Sequence, residues 1–143
     1  MPYEFLNDVA TADVAFKASG ATLEELFAAS VDATVNCMIE EVESIAAQTT
    51  RTISIGAESI EMLLFQLLQE IIFYKDAEEL LLRSSRISID QKQKRCSLSA
   101  KLTGEKIDTQ KHKLSVDVKA VTMHRFNVRQ ITGGWEATVV LDI

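Results

Sequence analysis

The residues with the clearest chemical potential are three carboxylates. Asp142 and Ile143 close a strand-like run, which sets a side-chain carboxylate beside the terminal α-carboxylate, and Asp13 supplies another near the opposite end, in Thr11-Ala12-Asp13-Val14. Oxygen donors of this type suit a hard cation such as Ca²⁺ or Mg²⁺, but only if the fold joins the two ends. Left apart, a strand-end Asp is simply solvated. Side-chain alternation aims both acids away from the core: Ala12, Val14, Phe16 and Ala18 share one face while Asp13, Ala15 and Lys17 take the other. Likewise Trp135, Ala137, Val139 and Leu141 share a face from which Asp142 is excluded.

Other reactive residues form no recognisable machinery. His112 and His124 lack the i, i+4 spacing of a helical metal site, so His112 is expected to orient a loop and His124 to sit at a strand end. Cys37 lies in a helical pattern and Cys96 in a strand pattern, with no CxxC, which predicts reduced core thiols. No Ser/His/Asp order, cysteine–base arrangement or phosphate-cradling GxxxxGK[ST] loop is present. Paired carboxylates can cleave glycosides, but 6% aromatic content suggests no sugar cleft. No catalytic residue is expected.

Charge divides the chain unevenly. The net charge is −6, yet residues 1–82 hold 15 acidic and 3 basic side chains, and residues 83–143 hold 6 and 12, giving halves of −12 and +6. A basic half could meet RNA or an acidic protein surface. The same alternation of Lys and Arg with apolar residues also keeps one face of an ordinary sheet wet.

The elements that must position these residues follow from periodicity. Length and 47% apolar content suit one domain, 1–143. Tyr3 to Leu6 and Ala12 to Ala18 read as strands. Thr22-Leu23-Glu24-Glu25 is a capping box that starts a helix running to about Ile39. A strand is predicted at Thr49 to Ile55 and a second helix near 58–75, where Ile60, Leu63, Leu64, Leu67, Leu68, Ile71 and Ile72 form one stripe. From Leu80 the period becomes two, with predicted strands through Ile87 and Ile89, Cys96 to Leu102, Leu114 to Ala120, and Phe126 to Ile131 paired with Trp135 to Leu141 across Gly133-Gly134. These elements predict an α+β fold: a single two-layer domain, with a mostly antiparallel sheet and two helices packed on it. No membrane span is evident, and Met1-Pro2-Tyr3-Glu4 lacks a signal-peptide pattern, so a cytoplasmic protein is expected.

Four stretches together resemble the archease family: Tyr3-Glu4-Phe5-Leu6 with Thr11-Ala12-Asp13-Val14; Thr22 to Phe27; Gly104-Glu105-Lys106 through Asp108 and His112 to Val118-Lys119-Ala120-Val121-Thr122; and Asp142-Ile143. The resemblance implies a non-catalytic accessory protein of the tRNA-splicing RNA ligase, one that promotes the ligase's metal-dependent guanylylation and multiple turnover. It further implies a divalent-cation site at Asp13, Asp142 and the Ile143 carboxylate, with Ca²⁺ first and Mg²⁺ or Mn²⁺ as alternatives. RNA would be met through the ligase. Many members read His-Thr-Ala-Asp where this chain has Ala10 before Thr11, so Asp8 becomes a candidate neighbour of the site. Lys119, out of phase with Val118 and Ala120, is a candidate contact to a phosphate or a partner carboxylate. The alternative function is an RNA-binding or chaperone-like module acting through the basic C-terminal half.

Overall fold

A computed structural model describes residues 2–6 and 13–143. Chain order is β1 (Tyr3–Leu6), β2 (Asp13–Gly20), α1 (Leu23–Met38), a 3-10 turn (Val42–Ser44), β3 (Thr49–Ala57), α2 (Ile60–Glu78), β4 (Leu80–Lys92), β5 (Arg95–Lys106), β6 (Ala120–Ile131) and β7 (Gly134–Asp142). The α+β expectation holds and every named strand pair is antiparallel. The strands divide between two sheets, ordered β1-β2-β7-β6 and β3-β5-β4. Alternation reports which side of a strand is apolar, not which sheet it joins.

Local chemistry explains both helices. Thr22 Oγ1 accepts from the Glu25 amide at 3.1 Å and Glu25 Oε2 accepts from the Thr22 amide at 3.1 Å, so two otherwise unpaired donors are satisfied reciprocally. At α2, Ser59 caps the Met62 amide and Glu79 ends the helix in the left-handed region, φ 54°. All seven residues of the predicted α2 stripe are buried. Helix α1 is buried more widely, including Ala29, Val31, Ala33 and Val35, because it packs against β2 and β7 of one sheet and β4 of the other. Small residues on its second face permit that close approach.

One predicted strand is absent. Residues 114–119 form no strand beyond a single bridge between Ile39 and Leu114, and Leu114 and Val116 are 52% and 39% exposed. Their amides turn instead to the end of α1: Ser115 N donates to Met38 O at 2.7 Å and Val116 N to Cys37 O at 3.2 Å. Helix-end carbonyls without intrahelical partners thus take donors that a sheet would have used. β6 begins at Ala120 and is interrupted, since the register slips between Thr122 and Asn127. His124 therefore lies in this exposed irregularity rather than at a strand end, next to Arg125 at φ 55°. The Gly133-Gly134 hairpin forms as expected, with φ 84° at Gly133.

Candidate metal centre

Strand β2 runs antiparallel to β7 in unbroken register, and the pair that opens the ladder is Asp13 with Asp142. Directly opposed residues lie on the same face of a sheet, with Cβ atoms about 4.5–5.5 Å apart. The two acids that sequence alternation turned away from the core are thereby neighbours, both half-buried. On its other side Asp142 pairs with Ala120 of β6, and its carbonyl accepts from the Lys119 amide at 2.8 Å. Ile143 follows directly, with its side chain packed against the core.

Two like charges in this position repel, and a divalent cation between them would reverse the sign of the interaction. The donor set is oxygen only, which fits Ca²⁺ or Mg²⁺ better than a thiophilic metal. Cys37 and Cys96 lie in the core as expected, and burial pushes the Cys37 thiol up to about 12. Among the described residues no three His, Cys, Asp or Glu side chains cluster to hold a metal. Asp8, Ala10 and Thr11 lie outside the described residues. The Lys119 side chain is exposed and takes part in no ion pair among the described residues.

Two buried polar networks hold the approach to β6, and sequence reasoning located neither. Glu105, 7% exposed, accepts through Oε2 from Lys111 Nζ at 2.6 Å, the Ala46 amide at 2.9 Å and His112 Nε2 at 2.9 Å. His112 Nδ1 accepts from the Asp108 amide at 2.9 Å, which leaves the ring proton on Nε2 for Glu105. The Lys111 ammonium first, then the Ala46 amide, hold the Glu105 carboxyl down at about 2. His112 does orient a loop, with Glu105 as its anchor. The second network centres on Lys75, a lysine that continues the apolar stripe of α2. Lys75 Nζ donates to Val118 O at 2.8 Å and pairs with Asp117 and Asp76. Burial acts to lower its pKa, but the two carboxylates outweigh that and the net direction is up. A lysine within a run of leucines and isoleucines was the available signal. Its tether to residues 117–118 sets where Lys119 meets Asp142.

Known proteins share this sequence pattern and fold over nearly the whole chain. The sequence profile of the Archease protein family matches residues 3–143. The chain belongs to the archease family. Protein archease of Pyrococcus abyssi is 33% identical over 134 residues, covering 93% of this chain and 94% of that protein. Protein archease of Methanosarcina barkeri is 32% identical over 142 residues, covering 99% and 95%. The solution structure of protein 1598 of Methanobacterium thermoautotrophicum superposes with TM-score 0.84 at 31% identity, over 99% of each chain. A crystal structure of an archease from Thermotoga maritima, described as a possible chaperone, shares the fold at TM-score 0.56 and 20% identity. Among the described residues no helix is long and apolar enough to cross a membrane.

Proposed function

We propose that this protein is a non-catalytic, cytoplasmic accessory factor that activates a tRNA-splicing RNA ligase, promoting the ligase's metal-dependent guanylylation and its multiple turnover. The observation that carries the reading is the opposition of Asp13 and Asp142 in the β2–β7 register. These two carboxylates and that of Ile143 would hold the cation, Ca²⁺ first and Mg²⁺ or Mn²⁺ as alternatives. When bound, the cation supplies a compact positive charge that phosphate oxygens or carboxylates of the partner can meet. Lys119, tethered by its amide to Asp142, offers an exposed ammonium to a phosphate or carboxylate of the partner. Asp8 is a further candidate contact.

Single- and multiple-turnover ligation with a cognate ligase, with and without this protein, tests the reading. The wild-type chain alone should ligate nothing and should raise ligase guanylylation and turnover. Asp13→Ala and Asp142→Ala should abolish the stimulation while remaining folded, and Lys119→Ala should reduce it less. A ligase indifferent to the wild-type protein would refute the function. A folded Asp13→Ala, Asp142→Ala double variant that stimulates at the wild-type rate would remove the carboxylates from it.

A further inference from the structure

The outward face of the β3-β5-β4 sheet opposes like charges twice, and here they are cations. Register pairs Arg86 with Lys101 at one end of the face and Lys92 with Arg95 at the other. Directly opposed like charges destabilise a sheet unless a counter-ion lies between them. In the rows between, Asp90 offers a carboxylate 3.8 Å from Lys92, and at the open edge of β4 Glu24 Oε2 accepts from the Ile89 amide at 3.3 Å. Arg51, Arg83 and Arg129 each have a carboxylate partner, whereas Arg95, Arg86 and Lys101 have none among the described residues. This excess of positive charge belongs to a protein of net charge −6.

Between the two cation pairs the face carries four serines, Ser54, Ser88, Ser97 and Ser99. Ser54, Ser99 and Ser88 form one cross-strand row, and Gly56, Ser97 and Asp90 the next. An open basin of about 470 Å³ spans these rows. The Arg95 guanidinium folds back over Gly56, occupying the space where a Cβ would stand. From Lys101 to Arg95 along β5 the face extends about 20 Å, at roughly 3.4 Å per residue. That is too long for one phosphate and suits an extended polyanion. The exposed large apolar residues of the described chain are Phe5, Phe73, Leu114, Val116 and Met123, all elsewhere. A protein partner would want such anchors at the centre of its interface. Phosphodiester recognition needs cations and hydroxyls instead, and serine can both donate to phosphate and bond a ribose 2′-OH.

We infer that this face binds the backbone of single-stranded RNA, without base readout. The surface is separate from the Asp13–Asp142 pair, which belongs to the other sheet. Fluorescence anisotropy with a labelled mixed-sequence 20-nucleotide RNA tests the inference across a salt titration. Neutralisation by four cations gives a log–log slope of about −2.8 and about a 50-fold loss of affinity between 50 and 200 mM salt. Arg95→Glu with Lys101→Glu, both at exposed positions whose folding circular dichroism checks, should weaken binding about tenfold or more at 50 mM salt and roughly halve the slope. Gly56→Ala displaces the guanidinium without changing charge and should weaken binding several-fold. Asp13→Ala and Asp142→Ala should leave RNA affinity unchanged even where ligase stimulation is lost. Wild-type affinity in the Arg95→Glu, Lys101→Glu protein, a flat salt dependence, or equal competition by poly-glutamate would overturn the proposal.

Discussion

Replacing Asp142 by Asn should invert the stability order of wild type and variant according to whether a divalent cation is present. In EDTA, Asp13 and Asp142 face each other as like charges on one side of the sheet. Removing one charge relieves about 0.2–1 kcal/mol of cross-strand repulsion. Unfolding entropy for 143 residues is about 0.3 kcal/mol/K, so the variant should melt roughly 1–3 °C above wild type. With Ca²⁺ at a hundred times its dissociation constant, binding to the native state alone stabilises wild type by about 2.7 kcal/mol. That corresponds to about 9 °C, and the variant should gain little of it. Differential scanning calorimetry of both proteins in EDTA and in Ca²⁺ reads both effects. A variant that melts well below wild type in EDTA would make Asp142 a structural residue. Equal Ca²⁺ shifts in the two proteins would put the cation somewhere else.

The Glu105 network should leave a signature in acid. Because its folded-state pKa is depressed to about 2 from an ordinary 4.5, its contribution is fully present above the ordinary value and is lost as pH falls toward 2. Lys111 is partly exposed and screened, which reduces the full linkage figure to about 1.5–2 kcal/mol. Glu105→Gln should cost about that much in urea denaturation at pH 7, with the difference from wild type closing between pH 4.5 and 2. A pH-independent difference would contradict the assignment. Leu67, fully buried in the α2 stripe, should cost about 2–5 kcal/mol as Ala by chemical denaturation. Leu67→Asp should prevent folding, since an unpaired charge would then sit in the core. A cooperative native-like unfolding transition for Leu67→Asp would contradict the packing.

What the sequence by itself determined was the information carried within single elements. A capping box reports its own helix start because Thr22 and Glu25 are three residues apart and satisfy each other. The α2 stripe reports its buried face because helical periodicity repeats locally, and strand alternation turned Asp13 and Asp142 off the core for the same reason. Resemblance to a family, carried by short motifs in order, was also legible in the chain. Tertiary structure alone decided what meets what. Residues 114–119 have strand-like alternation, but the Ser115 and Val116 amides find the end of α1, a partner no local pattern encodes. Asp13 and Asp142 are neighbours only because β2 lies beside β7, a pairing across nearly the whole chain. Glu105, Lys111, His112 and Ala46 converge because a buried carboxylate must gather donors wherever the fold supplies them, and Ala46 comes from a distant segment. The cation pairs at Arg86–Lys101 and Lys92–Arg95 became visible only through register. Charge composition counts residues, whereas the energy of a charge depends on which neighbour the fold sets opposite it.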